Sequence, residues 1–223
     1  MTTAFFAQTT SQSSGQRPFR SRFEPCMQLS DGALDFPVTR VDPLFEEISA
    51  GPGQIESPTE WLLLCLRKLA QSARQFDVGV RPLHVPMPLS ILQDPEAPER
   101  AARIAETEDF CTQEFILEFQ DATLAATEDG VLDRMEAFRR KGFRIALDAR
   151  LSSAAPFGAR LRSAVERLRV TEFDLLNDET VQMRADIVSC LGGKVIIDRA
   201  RWTNADLLRS FGATHALKLL ADA

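Results

Sequence analysis

Acidic side chains follow several apolar runs of this sequence, at the point where each run ends. Glu118, Asp148 and Asp198 end the runs FILE, IALD and VIID, Asp121 lies just beyond the first of these, and Arg40 ends an earlier run. If the runs are parallel strands, their ends meet at one mouth, where carboxylate oxygens could bind a divalent metal ion. The same acids could instead cap the helices that follow, and Arg40 could be a surface charge at a strand end. Residue types and spacing leave both interpretations open.

The elements that position these residues alternate in type along the chain. Segments with helical periodicity precede strands six times from Trp61 onward, which predicts parallel strands joined by crossover helices. Before them, the turn Ser30-Asp31-Gly32 predicts a hairpin between the first two strands. The predicted strands are Phe23–Leu29, Leu34–Val41, Gly79–Val85, Phe115–Phe119, Phe143–Leu147, Glu172–Leu176, Lys194–Asp198 and His215–Leu219.

The predicted helices have recognisable ends. Ser57-Pro58-Thr59-Glu60 predicts the start of a long first helix, and a further helix is predicted over Pro156–Leu168. Gly142 and Gly212 predict the ends of two others, because glycine readily adopts the left-handed conformation that closes a helix.

This order of elements favours an α/β fold, a (β/α)₈ TIM-like barrel with an N-terminal antiparallel strand. An open, doubly wound sheet is the alternative. The barrel is predicted to be one domain over residues 21–223. Residues 1–20 are rich in Ser, Thr and Gln and are predicted to form a disordered tail.

Composition excludes several classes of function. The chain has 26 Lys and Arg against 32 Asp and Glu, a net charge of −6, which disfavours a nucleic-acid partner. No apolar run approaches the roughly 20 residues of a membrane span, and the N-terminus lacks the pattern of a secretory signal. The four cysteines are scattered and there are two histidines, which disfavours a zinc or disulfide scaffold. We therefore expect a cytoplasmic protein with no membrane association.

Two of the predicted strands carry a resemblance to a known family. FILEFQD at 115–121, an acidic helix and GFRIALD at 142–148 resemble the middle of an EAL domain. This is the bacterial cyclic-di-GMP phosphodiesterase family, whose consensus there reads L-E-I-T-E-S and then G-(V/I)-R-I-A-L-D-D-F-G-T-G. The likeness extends in order and spacing over nearly all of residues 21–220, and it implies an EAL-type barrel.

The sequence departs from the family at most of its catalytic positions. The signature Glu-Ala-Leu should end the second strand, but Asp35-Phe36-Pro37-Val38-Thr39-Arg40 contains no Glu. The metal-binding Asn of the third strand falls at Pro86, and the paired Asp-Asp is reduced to Asp148-Ala149. The catalytic Lys falls at Asp174 and the Asp after it at Leu176.

Four acids stay in register with the family, namely Glu118, Asp121, Asp148 and Asp198, and Arg40 matches an arginine that helps to hold the dinucleotide. The family cleaves its phosphodiester with two metal ions, and this set offers too few oxygens to bind two. The resemblance, with these losses, implies a vestigial site with no metal and no cofactor.

These losses imply a catalytically inactive signalling protein. It would act through an unidentified protein partner, as a regulator or adaptor of a process such as motility or transcription. A receptor that binds cyclic-di-GMP without hydrolysing it is the alternative, and an active phosphodiesterase is the least favoured. The family resemblance also allows a homodimer.

Overall fold

Eight strands close into a barrel in which every strand pairs with its neighbours in sequence order, and β8 returns to β1. The structure is a computed structural model that describes residues 20–42, 58–75, 82–121, 124 and 130–220. The strands are β1 (Arg20–Gln28), β2 (Leu34–Asp42), β3 (Leu83–Pro86), β4 (Phe115–Gln120), β5 (Arg144–Asp148), β6 (Arg167–Val170), β7 (Lys194–Arg201) and β8 (His215–Leu220).

The first strand is the reversed one, as predicted. It pairs antiparallel with β2 and with β8, whereas all other neighbours are parallel. Gly32, in the predicted turn between β1 and β2, has φ +73°. The closed barrel confirms the predicted fold class and rules out the open, doubly wound sheet.

Helices connect the parallel strands and cover the outside of the barrel. Gly142 and Gly212 follow two of them with φ of +91° and +86°, as predicted for glycines that end helices. The helices are α1 (Pro58–Gln75), α2 (Ala97–Thr107), α3 (Gly130–Arg140), α4 (Ala159–Ala164), α5 (Glu172–Asn177), α6 (Glu179–Cys190) and α7 (Ala205–Ser210).

Buried apolar residues form two clusters. The larger one contains residues of the helices and residues of the strands, among them Leu66, Phe138 and Leu147. The smaller one contains Cys26, Phe36, Val38, Ile196 and Leu217, which all come from strands. Since alternate residues of a strand point to opposite faces, the smaller cluster fills the barrel interior.

The sixth strand is not where the sequence predicted it. The predicted strand over Glu172–Leu176 is wrong, because those residues belong to α5, and the predicted helix over Pro156–Leu168 is too long, because α4 ends at Ala164. The strand is instead β6, Arg167–Val170. The side chain of Thr171 accepts the backbone N–H of Asp174 and so begins a helix directly after that strand.

Two predictions lie partly outside the described residues. Residues 1–19 of the predicted tail are among those not described, and Arg20 already belongs to β1. The predicted start of the third strand at Gly79 is also not described, and β3 begins at Leu83. In the described part of the chain, no helix is both long enough and apolar enough to cross a bilayer.

Candidate functional site

Three of the predicted acids meet at the carboxyl end of the barrel. Glu118 lies in β4, Asp148 ends β5 and Asp198 lies in β7. Glu118 and Asp148 are almost fully buried, while Asp198 is partly exposed. Burying a carboxylate is costly unless it is paired, so the partners of these three groups determine what the site can do.

Arg150 binds two of the three acids from the loop that follows β5. Its Nε and Nη2 donate to Oδ1 and Oδ2 of Asp148 at 2.8 and 2.7 Å, a two-pronged geometry that is typical of strong arginine–carboxylate pairs. Its Nη1 donates to Oδ2 of Asp198 at 2.9 Å. Arg150 therefore bridges the ends of β5 and β7 across the barrel mouth.

Arg169 reaches the same cluster from inside the barrel. Its Nη1 donates to Oε1 of Glu118 at 3.1 Å, and its Nε donates to Oδ1 of Asp198, also at 3.1 Å. This guanidinium group is largely buried, so its attraction to the two carboxylates is little screened by water. Glu118, Asp148, Asp198, Arg150 and Arg169 together are called the mouth cluster below.

His84 contacts the remaining oxygen of the mouth cluster from β3. Its Nδ1 lies 3.0 Å from Oε2 of Glu118, close enough for an ion pair, although neither atom has a partner with hydrogen-bond geometry. Burial lowers the pKa of His84 more than the contact with Glu118 raises it. The imidazole is therefore neutral near pH 7 and adds no formal charge to the cluster.

The mouth cluster does not fit a metal ion. Five of its six carboxylate oxygens accept hydrogen bonds from guanidinium groups, and the sixth faces His84. Three carboxylates and two guanidinium groups give the cluster a formal charge of −3 + 2 = −1. This small negative charge lies on oxygens that already accept hydrogen bonds, so it attracts a metal ion only weakly. Within the described residues, no group of three or more His, Cys, Asp or Glu side chains is arranged to hold a metal ion.

Asp121 is not part of this cluster. Its carboxylate is fully buried, and Oδ1 accepts from Nη1 of Arg184 in α6 at 2.7 Å. Oδ2 accepts the backbone N–H of Ala155 at 3.0 Å, and Arg184 also donates to the carbonyls of Ser153 and Ala155. The pair therefore fixes the loop between β5 and α4, the loop that carries Arg150.

Two other predicted positions can be placed by strand register. Val38 pairs with His84, and Pro86 pairs with Glu118. Arg40, two residues beyond Val38 in β2, thus lies at the level of Pro86 and Glu118. The side chain of Arg40 lies outside what the structure describes. Pro86 offers no side-chain oxygen at the level where a metal ligand would be needed.

The two arginines of β6 were not among the predicted site residues. Asp174, to which the catalytic Lys was assigned, lies in α5 and not in the sixth strand, and Arg169 of that strand reaches Glu118 at the mouth. Arg167 lies deeper and places its guanidinium carbon 3.7 Å from the centre of the Phe36 ring. The alternation R-L-R-V was the available signal, since it puts both arginines on one face of a strand.

Glu118 gives the mouth cluster a characteristic response to acid. Burial alone would raise the pKa of Glu118, but the positive charge of Arg169 outweighs it and holds that pKa at about 2. A lowered carboxyl pKa stabilises the folded state fully above the unfolded value of about 4.3, and this stabilisation is lost as the pH falls towards 2. We expect the stability difference between the wild type and Glu118→Gln, measured by urea denaturation, to shrink from about pH 5 to about pH 3. A difference that stays constant over this range would contradict the assigned pairing.

The chain is similar to known proteins in its three-dimensional structure, as comparison with solved structures shows. No protein-family model and no curated protein matches the chain. Among solved structures, Klebsiella pneumoniae BlrP1 in complex with calcium and cyclic-di-GMP matches 95% of the chain with a TM-score of 0.70 and 16% identity. The EAL domain of Mycobacterium smegmatis DcpA matches 88% of the chain with a TM-score of 0.66 and 15% identity. The chain has the fold of an EAL domain.

A third EAL-fold neighbour is the MucR phosphodiesterase in complex with cyclic-di-GMP, which matches 87% of the chain with a TM-score of 0.67 and 12% identity. The chain spans 57% of the BlrP1 chain, 88% of the DcpA chain and 91% of the MucR chain. Identities this low establish the EAL fold alone, and function depends on the side chains at the barrel mouth.

Proposed function

We propose that this EAL-fold chain is catalytically inactive and acts in bacterial signalling through contacts with another protein, as a regulator or adaptor. The observation that carries the proposal is the pairing of the mouth cluster. Arg150 and Arg169 occupy the carboxylates that would otherwise be available to a cation. A metal ion would have to displace both guanidinium groups and bind beside their positive charge, which costs several kcal/mol for each buried ion pair that is broken.

The chemistry of phosphodiester cleavage supports the same proposal. Two-metal hydrolysis needs ligands that hold both ions about 4 Å apart and leave room for a water and for the scissile phosphate. At the level of Glu118, β3 contributes Pro86, which cannot ligate a metal ion. The second strand has no Glu in the segment where the family signature would fall. Loss of several members of one catalytic set leaves little rate above background.

A hydrolysis assay tests the inactivity directly. We expect the chain, incubated with cyclic-di-GMP and Mn²⁺ or Mg²⁺, to release no linear pGpG above a protein-free blank. MucR, a phosphodiesterase with a similar fold, is the positive control. Metal-dependent release of pGpG that is lost in Glu118→Gln would refute the proposal, because it would show that the mouth cluster opens to metal ions.

A receptor for cyclic-di-GMP is the second candidate, and the arginines at the mouth favour it. Arg150 and Arg169 bring two guanidinium groups to the barrel mouth, and the mouth cluster has a formal charge of only −1. Little net negative charge is therefore left at the mouth to repel two phosphates. The side chain of Asp174 is a partner of Thr171 at the start of α5 and not a member of the cluster. A receptor would bind the dinucleotide without a metal ion and lose that binding in Arg40→Ala.

We also propose that the protein acts in the cytoplasm. A protein that reads or relays a cytoplasmic second messenger needs no membrane segment or nucleic-acid surface, and the net charge of −6 agrees with that. A homodimer is compatible with this proposal, with or without a further partner.

A further inference from the structure

Strands β7 and β8 carry three cations on one face of their paired ends. Arg199 pairs with Lys218, and Arg201 follows two residues after Arg199 in the same strand. Directly opposed residues share a face, as do residues two apart in one strand, so the three side chains project to the same side. All three are exposed, whereas Ala200 between the arginines is fully buried.

Within the described residues, no ion pair joins Arg199, Arg201 or Lys218 to an acid. The nearby Arg150, Arg169 and Arg209 are each paired with a carboxylate. Like charges directly opposite each other destabilise a strand pair. The repulsion among these three cations is relieved when an anionic group binds beside them. Their clustering is unusual on a chain with a net charge of −6.

Three exposed apolar side chains lie on the segments next to the end of β7, namely the turn that follows it, α5 and α7. Trp202 directly follows β7 and is 45% exposed, Phe173 in α5 is 73% exposed, and Leu207 in α7 is 49% exposed. Helix α5 contacts both β7 and α7. Large apolar side chains that gather at one exposed site commonly mark an interaction surface.

Glu172 holds these elements together. Its Oε2 accepts the backbone N–H of Arg201 at 3.1 Å, and its Oε1 accepts from Nδ2 of Asn204. The start of α5, the end of β7 and the turn that leads into α7 are thus tied by one carboxylate. Arg199, Arg201, Lys218, Phe173, Trp202 and Leu207 are called the rim surface below.

We propose that the rim surface binds an acidic segment of a partner protein, whose apolar side chains pack on Trp202, Phe173 and Leu207 while its carboxylates pair with Arg199, Arg201 and Lys218. The inference rests on the proposed function, since it supplies the surface through which a non-catalytic chain would act. An acidic protein segment fits better than a nucleic acid, because three cations on a negatively charged chain release few counterions from a phosphate backbone. It fits better than a membrane surface, because anionic lipids repel the chain as a whole.

Selection from a displayed library of random peptides tests this proposal. We expect peptides selected on the wild-type chain to be enriched in acidic and large apolar residues. Their affinity should fall roughly tenfold or more in the double variant Arg199→Glu/Lys218→Glu and in Trp202→Ala. Arg139→Glu/Arg140→Glu, which reverses two exposed cations at the end of α3, is the matched control and should bind as the wild type does.

Trp202 provides a local readout of the same binding. The chain has two tryptophans, and Trp61 is only 4% exposed, so burial of Trp202 should dominate any blue shift of the emission. Selected peptides that are not acidic, or that bind all variants equally, would overturn the proposal. So would tighter binding of a single-stranded oligonucleotide or of vesicles that contain phosphatidylglycerol. None of these outcomes bears on the result of the hydrolysis assay. The proposal for the rim surface can therefore be wrong while the proposed catalytic inactivity is still correct.

Discussion

We expect Arg169→Ala to lower the free energy of unfolding by about 3–5 kcal/mol, the cost of leaving buried charges without a partner. Arg169 donates to Glu118 and to Asp198, and Glu118 is only 3% exposed. Without the guanidinium group, Glu118 must bind a proton or draw water into the barrel, and both responses destabilise the folded state. Urea denaturation followed by circular dichroism measures the change.

Two variants make this result interpretable. Arg160→Ala is the matched control, because Arg160 also bridges two acids, Asp133 and Glu136, but does so on the surface, where water screens the pairs and the expected cost is small. Arg169→Lys keeps the positive charge and should recover part of the loss if Arg169→Ala fails to fold. Equal effects of Arg169→Ala and Arg160→Ala would contradict the view that the mouth cluster is a buried, mutually paired unit.

Arg184→Ala should have the second-largest effect, also about 3–5 kcal/mol, because it removes the charged partner of a fully buried carboxylate. Arg184 pairs with Asp121 and donates to the carbonyls of Ser153 and Ala155. We therefore expect the loop between β5 and α4 to open, and limited proteolysis should cut it near Leu151, which is already 80% exposed.

The double variant Asp121→Leu/Arg184→Met separates stability from loop position. Replacing a buried pair with apolar residues is often neutral or stabilising, so most of the lost free energy should return. The loop should remain susceptible to protease, because the donors to Ser153 and Ala155 stay absent. Protection of the loop equal to that of the wild type would show that Arg184 does not position it.

Much of the fold could be predicted from the sequence because its signals are local. Asp31-Gly32 predicts the hairpin, the cap before Trp61 predicts the start of α1, and Gly142 and Gly212 predict helix ends. Alternation of helix and strand then predicts a barrel, since parallel strands need crossover connections. These features do not depend on which residues meet across the barrel.

The sixth strand was predicted in the wrong place because the sequence around it carries both helical and strand signals. Arg167-Leu168-Arg169-Val170 is short, and its leucine continues the helical spacing of the residues before it. The more apolar segment that follows is helical because Thr171 caps it. Burial of two arginines in a strand is costly without partners. Arg169 finds its partners in β4 and β7, and Arg167 lies against the ring of Phe36 in β2, contacts that only the tertiary structure shows.

The position of the candidate site could be predicted from the sequence, but the pairing of its acids with arginines could not. Glu118, Asp148 and Asp198 meet at the barrel mouth as expected, because parallel strands end at one face. Asp121 does not join them, since Arg184 from α6 binds it in a separate buried pair. The arginines that close the cluster come from a loop and from a misassigned strand. The alternation R-L-R-V could have placed Arg169 on a strand face, but no local signal shows which acids Arg169 and Arg150 bind.

Titration calorimetry with cyclic-di-GMP in the presence and absence of Mn²⁺ tests the closed mouth cluster most directly. We predict no heat beyond dilution that depends on Mn²⁺, because the carboxylates are already paired with Arg150 and Arg169. Binding without a metal ion that disappears in Arg40→Ala would favour the receptor and leave the closed cluster intact. Saturable binding that requires Mn²⁺ and is lost in Glu118→Gln would contradict the central claim.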